Sequence, residues 1–149
     1  MARPSLFKFG GGESAFLALA AAHHERCLRD PELNHPFSHG VNPAHIEHLA
    51  AYWGEVFGGP ARYSALGGHS GMLEIHARQG AGDDYGPRFV ACFMKAADDA
   101  GLPDDPDFRA AIRSYMEWAT GEVISYAPAE SQVPVGLPVP RWGWSGPEK

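Results

Sequence analysis

Apolar residues recur at helical spacing along four long stretches of this 149-residue chain. In the first, Phe16, Leu17, Ala20, His24, Cys27 and Leu28 share one face. That helix is expected to start at Ser14 or just before it and to run to about Arg29, with Pro31 stopping it. The second is framed by Asn42 as N-cap and Pro43 at the first helical position. Ile46, Leu49, Ala50, Trp53, Val56 and Phe57 form its stripe, and Gly58-Gly59-Pro60 ends it. A third should begin near Asp83 or Asp84, turn Phe89, Val90, Phe93, Met94 and Ala97 inward, and end at Gly101. The fourth follows Asp104-Asp105, takes Pro106 into its first turn, and continues through Phe108, Ile112, Tyr115, Met116, Ala119 and Val123 to a stop before Pro128.

Between the second and third helices the pattern breaks. Gly67, Gly68 and Gly71 on one side, and Gly80 and Gly82 on the other, leave only Met72–Arg78 with room for a helical run. Residues 1–12 read as a flexible lead ending in the Gly10–Gly12 run. Residues 128–149 read as a tail, broken by Pro134, Pro138, Pro140 and Pro147, that is extended or irregular with Trp142 and Trp144 pinned on the body. No strand-like alternation and no internal repeat emerges. The predicted class is all-α, with four main helices and one short one.

Length and a 44% hydrophobic fraction fit one domain with a real core. The formal net charge of −6, without a Lys or Arg run, argues against a nucleic-acid or anionic-membrane surface. No apolar run is long enough to cross a bilayer. The opening MARPSLFKFGGGES lacks the apolar stretch of a secretory signal, so a cytoplasmic protein is expected. Cys27 and Cys92 lie on apolar helical faces and read as buried free thiols. With no CxxC spacing, the sequence argues against zinc.

Histidine changes the picture. There are eight: His23, His24, His35, His39, His45, His48, His69 and His76. His76 sits in the short Gly-flanked segment between longer helices. An axial metal ligand needs such a place, with one ring nitrogen for the metal and the other for an orienting acceptor. His24 falls on the inner face of the first helix, and His45 at the edge of the second helix's stripe. Each alone reads more readily as a hydrogen-bonded core histidine than as a ligand. Three aimed at one interior suggest a shared ligand, either haem iron or a divalent ion held by His24, His45 and His76.

Four pieces of the chain carry a family resemblance. They are Gly11-Gly12 with Phe16; VFGGPARYS at Val56–Ser64; Gly68-His69 followed by His76; and FVACFMKAADDAG at Phe89–Gly101. From about Gly11 to Tyr126 the chain resembles the truncated haemoglobins, specifically group II. The resemblance implies a globin-like two-over-two helical sandwich over residues 13–127, built around haem b. It makes His76 the proximal iron ligand. It puts His24 and His45 on the distal side, with Leu49 one turn beyond His45. Phe37, in the loop His35–Gly40, would pack on the haem, and Trp53, Tyr63, His69, Met72, Phe93 and Met116 would line it. Arg62, Arg78 and His69 are candidates to pair with the propionates.

Two departures stand out. The family usually has Tyr where this chain has His24 and Trp where it has Phe89, and in the family both groups hydrogen-bond a bound oxygen ligand. One donor is exchanged here and the other lost. His24 or His45 can supply a ring N–H instead, or can ligate the iron directly. The implied partners are a diatomic gas, or peroxide, and a reductant of unknown kind, with the oligomeric state open between monomer and homodimer. Haem-based nitric oxide dioxygenation and peroxidase-like oxidation are the enzymatic alternatives to simple ligand binding.

Overall fold

The structure, a computed structural model, describes residues 3–31, 33, 44–78 and 85–148. Helix α1 is Leu6–Gly10, α2 Gly12–Arg29, α3 His45–Val56, α4 Gly68–His76, α5 Tyr85–Asp99 and α6 Pro106–Ser125. A single 3-10 turn, Tyr63–Ala65, lies before α4, and two short strands, β1 (Arg141–Gly143) and β2 (Gly146–Glu148), follow α6. Helix α2 packs on both α3 and α5, and α5 packs on α6. The result is one pair of helices laid over another, with Phe16, Phe57, Phe93, Phe108 and Tyr115 fully buried between them. The all-α architecture expected from the apolar pattern is the architecture observed. No described helix is long and apolar enough to cross a membrane.

Local chemistry explains most helix ends. Asp105 caps α6 by accepting from Phe108 N–H at 2.9 Å, with Pro106 in the first turn. Gly101, at φ 73°, closes α5: its N–H reaches Asp98 O at 3.1 Å, and Leu102 N–H reaches Ala97 O at 3.0 Å. The expected starts of α3 at Asn42-Pro43 and of α5 at Asp83-Asp84 lie outside the described residues. Helix α4 runs a full turn earlier than expected, taking in Gly68 through Gly71. Its glycines are tolerated because α4 is held by side chains at both ends rather than by its own propensity.

Three expectations need correction. The lead before residue 13 is not free of structure. Ser5 caps α1 through Lys8 N–H (3.1 Å), Leu6 is 1% exposed, and Phe7 N–H bonds to Phe57 O at 2.9 Å. The apolar LFKF run outweighs the glycines behind it, because Phe7 stacks on Phe16 and Phe9 on Phe108. The tail is not strand-free either. β1 and β2 pair antiparallel, Trp142 is buried against Tyr115 and Trp118, and Trp144 Nε1–H donates to Pro4 O at 2.9 Å. The anchoring role expected of the two tryptophans is what these contacts show.

The third correction concerns the phase of α2. Its buried stripe is Phe16, Leu19, Ala20, His23 and Cys27, whereas Leu28 is exposed. His23 therefore takes the fully buried place assigned to His24, and His24 is half-buried. Because α2 is covered on two sides, by α3 and by α5, both neighbouring registers find apolar company, and the alanine-rich sequence does not choose between them.

The Gly58-Gly59-Pro60 stop also does packing work. Gly58 has φ 102°, and a Cβ there would stand 2.7 Å from Ser5 Cβ. A Cβ on Gly59 would stand 2.7 Å from Gly54 O and 2.9 Å from the Phe7 ring. These glycines let α1 close over the end of α3. Gly59→Ala is expected to destabilise the fold by about 1–3 kcal/mol, the scale of overpacking, read as a lowered midpoint in denaturant titration.

Candidate functional site

Helix α4 ends on His76, which is half-buried. His76 Nδ1–H donates to Met72 O, one turn back, at 2.8 Å. That bond fixes the tautomer and leaves the Nε2 lone pair as the ring's outward-facing donor to a metal. On α2 and α3, His24 and His45 face each other, their ring centroids 4.9 Å apart and tilted at 52°. His45 is held down to about pKa 4, first by burial and then by the fields of His24, His76, His23 and His48. His24 is also shifted below its ordinary value, by burial first and His23 second. Neutral imidazoles at pH 7 are the form that ligates a metal or donates a single N–H. The structure brings His24 and His45 together, and the field of His76 reaches His45.

The apolar candidates divide. Phe93 and Trp53 are buried with their rings 4.9 Å apart, and Met116 is buried. Leu49, Met72 and Phe89 are partly buried against the same core. Tyr63 is buried edge-on against Tyr52 at 5.0 Å. Phe37 lies outside the described residues.

His69 has a different task from the one expected. It is 4% exposed, with Nδ1 2.8 Å from Tyr52 Oη and Nε2 2.8 Å from Glu122 Oε1. The carboxylate can only accept, so Nε2–H donates to Glu122 and Tyr52 O–H donates to Nδ1. Both ring nitrogens are engaged, and His69 ties the first turn of α4 to α3 and α6 instead of meeting a propionate. Arg62 is paired with Glu13, and Arg78 with Glu74, both at exposed positions.

Sequence reasoning gave His23 only a place behind His24, as a supporting donor or a helix-surface residue. Its ring lies 4.7 Å from Phe89, 5.3 Å from Trp53 and 6.1 Å from Phe93, and its Nε2 is 3.3 Å from Cys27 Sγ. The signal was present as the i, i+4 pair His23–Cys27, but only the helix phase reveals it.

The low value for His45 has a consequence for the haem-free protein. Unfolded His45 takes up a proton near pH 6.5, and native His45 only near 4. Between those values the unfolded chain binds more protons, so stability falls as pH falls through that window. The loss is expected to be about 1–2 kcal/mol once solvent screening of the half-buried ring is allowed for. Thermal melts of haem-free wild type and His45→Leu at pH 7 and pH 5 check this, with the variant losing less.

Two helix pairs laid one over the other, with a short histidine-bearing helix between them whose Nδ1 proton is held by its own backbone, define a globin of the two-over-two kind. The chain belongs to the bacterial-like globin family, whose model matches residues 5–120. Its structure is similar to that of a haemoglobin from the thermophilic phototrophic bacterium Chloroflexus aurantiacus, at 27% identity and TM-score 0.70, over 82% of this chain and 98% of that one. It is also similar to a thermostable haemoglobin from the actinobacterium Thermobifida fusca, at 24% identity and TM-score 0.66, over 90% and 100% of the two chains. The group II truncated haemoglobin from Bacillus anthracis shares the fold at 18% identity and TM-score 0.70, over 88% and 98%. No curated protein sequence matches the chain closely. The family's cofactor is haem with its iron, and its general activity is binding small ligands there. The donor set of His76, with one nitrogen oriented and the other free to ligate, fits that group.

Proposed function

We propose that this chain holds haem b through His76 Nε2 and binds oxygen or another diatomic ligand on the side of His45 and His24. The observations that carry the reading are the His76–Met72 hydrogen bond at 2.8 Å and the paired rings of His24 and His45. When bound, the haem iron supplies an open coordination position for the gas. His76 is oriented by Met72 O. On the other side, His45 and His24 are neutral and each can present one N–H, which favours a ligand that gathers negative charge on its outer atom. Phe89 supplies an apolar edge where a hydrogen-bond donor would otherwise stand, so the two imidazoles carry the polarity of the distal space. A cytoplasmic setting, in which Cys27 and Cys92 stay reduced, belongs to the same proposal.

Absorption spectra of the purified protein, ferric and ferrous, are the test. An intense Soret band, one haem per chain and a shift on adding carbon monoxide are expected. A colourless protein that takes up no haem would overturn the reading. Sustained consumption of nitric oxide or peroxide with an added reductant would mark the same site as enzymatic.

A further inference from the structure

The cleft between α2 and α5 holds a second cluster of metal-ligating groups. His23 and Cys27 lie one turn apart on α2 and share a face, and Cys92 meets them from α5. All three are buried, at 2%, 4% and 8% exposure. His23 Nε2 is 3.3 Å from Cys27 Sγ, Cys27 Sγ is 4.0 Å from Cys92 Sγ, and the three donor atoms all lie within 4.8 Å of one another. We propose that His23 Nε2, Cys27 Sγ and Cys92 Sγ form a binding site for a thiophilic d10 metal ion, Zn(II) or Cu(I), separate from the haem.

The spacing is what such an ion requires. Two sulfurs bound to one ion at about 2.3 Å, with an angle of about 110–120° between them, stand about 3.8–4.0 Å apart. The observed 4.0 Å meets that without moving either helix. Both thiols are free, with the sulfurs well beyond the bonded distance of about 2.05 Å. Soft thiolates with one imidazole select zinc or cuprous copper over harder ions. His23 adds its own argument. The ring nitrogen that faces the sulfurs is Nε2, and the ring is otherwise surrounded by Trp53, Phe89 and Phe93. The polar engagement of this buried ring is therefore with the sulfur cluster.

Charge and protons balance simply. A zinc ion displaces one proton from each thiol, giving Zn²⁺ + 2 R–SH + imidazole → Zn(S–R)₂(imidazole) + 2 H⁺. The product is neutral, which suits a buried apolar setting. Cu(I) displaces the same two protons and leaves a single negative charge, with the Arg26 guanidinium close enough for its field to reach Cys92. Three protein donors complete a trigonal cuprous site, and zinc adds one water.

The test uses haem-loaded protein with reduced thiols. It is incubated separately with Zn(II) and with Cu(I), each buffered by a competing chelator, and then freed of excess by gel filtration. Elemental analysis should find one equivalent of at least one of the two metals per chain beyond the haem iron. X-ray absorption at that metal's edge should show two sulfurs at about 2.3 Å. Cys92→Ser should weaken binding on the order of 100-fold while the Soret band is unchanged. Failure of both ions to bind stoichiometrically, a first shell without sulfur, or full retention by Cys92→Ser would each overturn the proposal. Should Cys92→Ser not fold, the absorption edge of the wild-type protein decides by itself. A protein that lacks haem yet binds zinc through sulfur would uphold this site while sinking the haem reading, so the two are separable.

Discussion

His76→Gly is expected to abolish stable haem attachment, with free imidazole restoring it. The wild-type ring has its Nδ1 proton tied to Met72 O at 2.8 Å, so Nε2 faces outward with its lone pair. Removing the ring removes the ligand and leaves a ring-sized gap at the end of α4. Haem loss should accelerate on the order of 100-fold or more, since even the partners that merely orient a metal ligand cost 10–100-fold when removed. Transfer of haem to an acceptor globin measures the rate, and added imidazole should slow it again by filling the gap. The fold should survive, because α4 stays fastened by His69 and by the packing of Leu73. Unchanged haem retention in His76→Gly would move the proximal role elsewhere.

The second large effect is expected at His45. If its N–H stabilises the distal ligand, His45→Leu removes a hydrogen bond worth about 1–2 kcal/mol in a dry site, and oxygen release should speed up about 5–30-fold. Stopped-flow displacement by carbon monoxide reads this directly. If His45 instead ligates the iron, the same change should convert a six-coordinate ferric spectrum to a five-coordinate one. An unchanged release rate and spectrum would leave the distal role to His24, its ring neighbour at 4.9 Å. Because the two rings share one space, the double variant is expected to lose more than either single variant but less than their sum.

The four long helices were legible in the sequence because each has a stripe, and most have a chemical stop such as Pro31, Gly101 or Gly58-Gly59. The short helix was legible as a gap: glycines on both sides of a histidine left little else to build. His24 and His45 do come together, which the pattern of faces implied. What stayed hidden depends on tertiary cover. The choice between His23 and His24 for the buried place is a rotation of about one residue, and a helix sandwiched on two sides does not advertise it. His69 was expected to be a site residue because the family resemblance puts its stretch at the haem edge. Its role came from Tyr52 and Glu122, which are 17 and 53 residues away. α1 and the hairpin are too short to stand alone and exist because Phe7, Phe9, Trp142 and Trp144 find ready-made surfaces.

The attachment of α4 carries a mechanical consequence. The helix is a beam held at both ends. At one end His69 bridges Tyr52 and Glu122, and Ser70 Oγ donates to Pro134 O at 2.6 Å. At the other, Arg78 N–H donates to Tyr126 O at 2.8 Å. A displacement of His76 along the beam must therefore be shared with the C-terminal end of α6 and with the tail. Such a mounting is stiff lengthwise, so under the proposed haem reading His76 would act as a fixed reference. Tuning of ligand affinity would then fall to His24, His45 and Phe89, which lie outside the mount.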